Sequence, residues 1–184
     1  FFAESHRTMA KIRWIGGNAL RANPNLIGHC VCGIADSDFN GIGLINNFRE
    51  LKPGVVDVIA DTQAPLRWCL FVEPGHVYAG REFTIEATLA TEDVLKPGTY
   101  AVDFRIFGEP GAVWEKHVTF SIPQPPKGSD GPLAVNVFRE SITLNVPPGV
   151  YEFTASLEQG GAPAGARRKF YVSAPVAASK DEVT

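Results

Sequence analysis

The sequence predicts a mainly β protein: an immunoglobulin-like antiparallel β-sandwich preceded by a helix–strand–helix unit of a parallel β/α fold. Three observations carry this reading. Eight short runs after Pro65 read as strands, and some alternate strictly: Phe83, Ile85, Ala87 and Leu89 face one way, Thr84, Glu86 and Thr88 the other. Gly and Pro clusters separate these runs at the spacing of an antiparallel sandwich. Before Pro65 the pattern differs: an amphipathic helix stops at Asn23-Pro24, a short apolar run follows, and a polar glycine-rich loop leads to a second helix.

Taken in order, Met9, Ile12, Ile15, Ala19 and Leu20 recur at helical spacing between Ala3 and Arg21. Gly16-Gly17 weakens that helix, which therefore relies on packing or carries an irregularity there. Asn23-Pro24-Asn25 ends it. Leu26 to Ala35 is almost wholly apolar or small, the composition of a strand covered on both faces. Val55 to Ala60 offers a short helix, and Gln63-Ala64-Pro65 closes the segment.

Strands are expected over 67–72, 82–90, 100–107, 113–122, 133–138, 141–146, 151–157 and 168–172. The breaker Gln124–Pro132 is read as a long loop inside one sandwich, because neither half has enough strands alone. Pro97-Gly98-Thr99-Tyr100 and Pro148-Gly149-Val150-Tyr151 echo one another, each placing a Tyr just after a turn. Such a Tyr buries its ring while its hydroxyl bonds nearby backbone, as in a tyrosine corner. The division expected is 1–64, 65–174 and a flexible tail 175–184.

Composition narrows the function classes. The chain has 184 residues, 45% hydrophobic and 20% charged, as in ordinary globular proteins. A net charge of -3 gives no electrostatic reason to expect nucleic acid or an anionic membrane as partner. No apolar run approaches the ~20 residues of a membrane-spanning helix. Phe1-Phe2-Ala3-Glu4 carries neither an initiator Met nor the basic-then-apolar pattern of a signal peptide. Three cysteines are too few for a disulfide scaffold, and Cys30, Cys32 and Cys69 are read as buried free thiols.

The first sixty residues resemble the end of the (β/α)8 catalytic barrel of family 2 glycoside hydrolases, the β-galactosidase and β-glucuronidase relatives. The residues that carry the resemblance are Arg21-Ala22-Asn23-Pro24, Ile27-Gly28, Ile34-Ala35-Asp36, Gly41-x-Gly43-Leu44 and Arg49-Glu50-x-Lys52-Pro53. In that family this run is the seventh helix, the eighth strand with its loop, and the start of the eighth helix. Many members carry β-sandwich domains beyond the barrel. Residues 1–64 would then be a helix–strand–helix remnant of a (β/α)8 barrel.

The resemblance implies retaining hydrolysis of β-glycosides by two glutamates on earlier barrel strands. Those strands are not in this sequence, so no catalytic residue is assigned and the fragment is expected to be inactive alone. Glu4 and Glu50 do not stand where the family places its carboxylates. The implied partner is the rest of the barrel, with carbohydrate as candidate ligand, a homo-oligomer as candidate assembly, and a periplasmic or secreted location. Where many members have a Trp near the end of the eighth strand, this chain has Cys32.

At the expected barrel mouth, Asp36, Asp38 and Asn40 are the candidate substrate-binding residues, through hydrogen bonds to sugar hydroxyls. The same residue types also favour strand-to-loop turns. His29 reads as a packed strand residue, and His6, His76 and His117 fall in different elements with no metal or triad signal. No metal or cofactor is expected. Trp68, Trp114, Tyr78 and Tyr100 would stack sugars if several shared an exposed face, although large aromatics in a sandwich are mostly core. Arg167-Arg168-Lys169 reads as a solvated edge. A different class of reading is a non-catalytic immunoglobulin-like module that binds carbohydrate or protein.

Overall fold

The computed structural model describes residues 1–37, 40–159 and 163–175. Its elements are α1 (Phe2–Ala22), α2 (Val55–Thr62), β1 (Leu66–Glu73), β2 (His76–Tyr78), β3 (Glu82–Thr91), β4 (Gly98–Gly108), β5 (Gly111–Ile122), β6 (Ala134–Thr143), β7 (Gly149–Leu157) and β8 (Arg167–Ser173). The protein is mainly β, with two helices before a sandwich. One sheet has the order β1-β3-β6 and the other β2-β8-β7-β4-β5. Among the described residues, every pair of strands is antiparallel except β2 with β8. The loop 123–133 carries the chain from β5 in one sheet to β6 in the other, so a single sandwich spans it.

Alternation decides which side chains enter the space between the sheets. Trp68, Leu70, Phe83, Ile85 and Leu89 face inward from the three-stranded sheet, meeting Val102, Phe104, Ile106, Phe153 and Phe170 from the other. The two Pro-Gly-x-Tyr echoes behave alike. The Tyr100 hydroxyl donates to the Lys96 carbonyl at 2.8 Å and the Tyr151 hydroxyl to the Pro147 carbonyl at 2.8 Å. Gly108 makes room for the second ring, since a Cβ there would lie 2.3 Å from Tyr151 Cε1.

The two corners differ in burial: Tyr151 is buried in the core and Tyr100 is only partly buried. Tyr151→Phe is therefore expected to lose about 1–2 kcal/mol, leaving a carbonyl short of its partner. Tyr100→Phe is expected to lose less, because water replaces the bond. Urea denaturation of the two variants checks that order, and equal losses would contradict it.

Helix α1 ends as the Asn23-Pro24-Asn25 stop requires: Asn23 leaves the helical region, and its side chain accepts the Asn25 N–H at 3.0 Å. Gly17 is where the helix packs. A Cβ at Gly17 would lie 2.5 Å from Thr62 Cγ2, so the missing side chain lets α2 approach.

Three expectations are corrected. The runs 133–138 and 141–146 are not two strands: β6 runs unbroken over Ala134–Thr143 and stops before the second run ends. Arg139 pairs with Glu86 and Glu140 with Lys116, so these charges lie along the strand instead of in a turn. A register shift at Ala87/Thr88 bulges the ladder there. Strand β2 was not expected; it is three residues long and stands only through its pairing with β8.

No strand forms over 26–34. Ile27 and Ile34 are 94% and 70% exposed, and His29, Cys30 and Cys32 are exposed as well. Only Ala35 forms a bridge, to Ile45. A strand covered on both faces needs ladder partners and a layer on each side. Among the described residues no element supplies them.

Candidate functional site

An open concavity lies on the helical part, away from the sandwich. A cavity of about 1010 Å³ opens between one face of α1 and the segment after it, lined among others by Met9, Ile12, Leu20, Val31, Ile42 and Ile59. Its walls are mostly carbon. Only Gly17 and Asn18 of α1 are buried, and Met9, Ile12 and Leu20 of its apolar face line this open trough. Cys30 and Cys32 line it too, which corrects the expectation of buried thiols for both. Cys69 is buried as expected, and burial pushes its thiol pKa up, which keeps it protonated and inert.

Beside the trough, Asp36 and Lys52 organise the loop. Lys52 Nζ donates to Asp36 Oδ1 at 2.7 Å and to the Gly41 carbonyl at 2.6 Å, while the Gly43 N–H donates to the same carboxylate oxygen at 2.9 Å. The lysine is 3% exposed and the aspartate 13%. The Lys52 hydrogen bond, assisted by the Gly43 N–H and opposed by burial, holds the Asp36 carboxyl below its ordinary pKa. Asp36 is thus already engaged within its own loop.

Asn40 does similar work: its side chain accepts the Ile42 N–H at 3.0 Å, and its backbone pairs with Ser37. Asp38 lies outside the described residues. Lys52 is the member of this group that sequence reasoning missed as a functional partner; its place in Glu50-x-Lys52-Pro53 was the available signal. Glu4 pairs with Arg7 on the exposed first turns of α1, and Glu50 accepts from Asn46 Nδ2 at 2.7 Å. His29 is not packed in a strand; its ring stands beside the exposed Gln63 side chain.

On the outer face of the five-stranded sheet, the ladder gathers side chains that are distant in sequence. Asp103 of β4 stands opposite His117 of β5, and Glu158 follows β7 with its N–H bonded to the Ala101 carbonyl. His117 Nδ1 lies 2.9 Å from Asp103 Oδ1 and 3.6 Å from Glu158 Oε1. Three ligand-type atoms thus come within 4.8 Å of one another, a grouping that no spacing along the chain announces. They satisfy one another as an exposed ion-pair cluster.

The Asp103 hydrogen bond, with Glu158 assisting, raises the His117 pKa. A raised pKa means that the cluster contributes fully below the ordinary imidazole value of about 6.5. That contribution is lost as pH rises through the raised value. Titration of the imidazole by NMR is expected to show a midpoint above that of a free imidazole, and Asp103→Asn should bring it down. An unchanged midpoint in Asp103→Asn would remove Asp103 as the cause.

The aromatic candidates separate cleanly. Trp68 is fully buried, while Trp114 and Tyr100 pack against the core. Tyr78 alone of the four is exposed, at 50%, and its neighbours are His76 and Tyr171. Of the basic run, Arg167 and Lys169 are exposed, whereas Arg168 is partly buried with its guanidinium over the Trp14 ring.

No protein-family model matches this sequence, and no curated protein matches it. Among solved structures, the alkylpurine DNA glycosylase AlkC of Pseudomonas fluorescens bound to DNA is 16% identical with a TM-score of 0.43, covering 66% of this chain and 34% of that one. A CARDB domain from Pyrococcus furiosus is 16% identical with a TM-score of 0.45, covering 61% of this chain and 96% of that one. The C-terminal domain of Wzt is 12% identical with a TM-score of 0.42, covering 62% and 77%. This chain thus spans about a third of the length of AlkC.

Proposed function

We infer that this chain is the C-terminal portion of a retaining glycoside hydrolase acting on β-glycosides, with an accessory immunoglobulin-like sandwich. In this reading α1, the loop 35–53 and α2 complete a (β/α)8 barrel whose earlier strands carry the two catalytic glutamates. The order of motifs from Arg21 to Pro53 supports it. The observation that carries it is the open apolar trough: an amphipathic helix and an apolar segment face a common space that the described residues leave uncovered. Within a barrel, the neighbouring strands and helices would fill that space, and 26–34 would gain ladder partners. Asp36, Lys52 and Asn40 would then shape the loop at the barrel mouth, and sugar contacts from Asp36, Asp38 and Asn40 belong to the same proposal.

Intact mass and native size of the protein from its natural source should reveal a longer polypeptide or a companion carrying the remaining barrel strands. The complete protein should release the aglycone from aryl β-glycosides, and NMR should show the first-formed sugar with its anomeric configuration retained. The 184-residue chain by itself should not. Inversion of configuration, no turnover by the complete protein, or turnover by the isolated chain would each overturn the reading.

A further inference from the structure

We propose that His76, Tyr78 and Tyr171 form a carbohydrate-stacking platform on the outer face of the five-stranded sheet, taking the flat face of an equatorially linked neutral glycan chain. The platform follows from register. In the parallel pair β2–β8, His76 stands opposite Tyr171 and Tyr78 opposite Ser173. Val77, Phe170 and Val172 fill the inward positions and are buried, which turns the intervening rings outward. Tyr78 is 50% exposed and Tyr171 55%.

The three rings form one contact group. The His76 and Tyr78 centroids are 6.3 Å apart with planes within 23° of parallel, and His76 and Tyr171 are 6.1 Å apart at 56°. His76 Nε2 lies 2.6 Å from Ser173 Oγ, which fixes the imidazole before any ligand arrives. Side chains with two rotatable bonds, already held against one another, lose little entropy on binding. Val150, also 55% exposed, stands across from Tyr171 and extends the apolar surface. One step along the ladder the character changes: Lys169 faces Glu152, and Arg167 approaches Glu152 at 3.6 Å.

Size and chemistry select the occupant. Stable protein interfaces need about 800 Å² from each partner, far more than three side chains and a valine provide. Addition of a strand from another chain is also disfavoured, since β2 is only three residues long. Aromatic faces are electron-rich and attract the polarised C–H groups on the flat side of a pyranose. The phenol hydroxyls, Ser173 and the Lys169–Glu152 pair surround those faces with the polar groups that sugar hydroxyls require. A chain of equatorially linked pyranoses presents such flat faces in succession; the near-parallel His76 and Tyr78 rings, 6.3 Å apart, meet that run of faces, and Tyr171, tilted 56° from His76, flanks it from the neighbouring strand. This site is independent of the hydrolase reading, because it lies wholly within the sandwich.

The test is isothermal titration of the full chain with cellohexaose and with xylohexaose at millimolar concentration. Binding of at least one is expected. Tyr78→Ala and Tyr171→Ala should each weaken it about tenfold or more, a loss of roughly 1.4 kcal/mol, whereas Tyr78→Phe should stay within about threefold, keeping the ring. Phe48→Ala, at an 84%-exposed loop position away from the sandwich, should bind as the parent does. All these positions are exposed, and circular dichroism should show parental folding. Failure of both sugars to bind, or binding indifferent to Tyr78→Ala and Tyr171→Ala, overturns the proposal. So does sedimentation showing a dimer that Tyr171→Ala dissociates, which would assign the face to a second copy of the chain.

Discussion

Arg67→Ala is expected to remove about 3–5 kcal/mol of stability, toward the lower end of that range. The guanidinium is fully buried, and it joins three elements. Nη1 donates to Asn18 Oδ1 of α1 at 3.1 Å and to Cys69 Sγ of β1 at 3.3 Å, while Nη2 donates to Asp61 Oδ2 of α2 at 3.1 Å. The second Asp61 oxygen accepts the Gly165 N–H at 3.0 Å, and Asn18 Nδ2 donates to the Leu70 carbonyl at 3.1 Å. Deleting the arginine strands a carboxylate and an amide oxygen and leaves the space of its aliphatic stem empty.

Asp61 is 30% exposed, so water recovers part of the loss. Arg67 Nε is buried without a partner among the described residues, a cost the native state already carries. Arg67→Lys should recover little, since a single ammonium cannot reach acceptors on three sides. Denaturant titration measures the loss, and limited proteolysis should show α1 and α2 cleaved earlier than the sandwich. A change within about 0.5 kcal/mol would mean that the buried charge is tolerated and does not hold the helices to the sheets.

What the sequence disclosed and what it hid follow from the range of the forces involved. The sandwich was legible because alternation is local: Phe83, Ile85, Ala87 and Leu89 all lie in the core. The tyrosine corners were legible too, since each hydroxyl reaches only four residues back. Gly17 announced a packing demand without naming Thr62, whose methyl it accommodates. Strand β2 escaped because three residues have no measurable period, and its existence depends on β8, nearly a hundred positions later.

The strand expected over Leu26 to Ala35 failed for the converse reason. Its composition is right for a doubly covered strand, but composition cannot supply the cover. The site residues divide in the same way. Asp36 and Asn40 were identified as strand-end polar groups, yet their partners Lys52 and Ile42 appear only once the loop closes. Arg67 looked like nothing more than the first residue of a strand, because Asn18 and Asp61 belong to other elements. His117 was hidden by register: only the β4–β5 ladder places it against Asp103.

Phe104→Ala should cost about 3–5 kcal/mol, the range for deleting a buried aromatic. Its ring is fully buried and stands where the two sheets meet. The centroid lies 5.6 Å from Trp68 of β1 in an edge-on arrangement and 5.0 Å from Phe138 of β6, nearly parallel. On its own sheet it is 5.7 Å from Phe153 of β7. One side chain thus ties both strands flanking β3 to the opposite sheet, and a cavity there is bounded by rings that strand pairing holds in place. Collapse into the gap is therefore limited, which puts the loss at the upper part of the range. Phe104→Leu keeps most of the apolar volume and should lose less than half as much.

Three positions along the same strand, Phe107 is 38% exposed, and Phe107→Ala should change stability by no more than about 0.5 kcal/mol. The pair makes the measurement decisive, because strand, residue type and substitution are held constant while only the face changes. Urea titrations with unchanged slopes and a gap of several kcal/mol would locate the sandwich's stability in the contact between its sheets. Equal losses at the two positions would mean that the outer face of β4 is covered in solution, and that the isolated chain is not the stable unit.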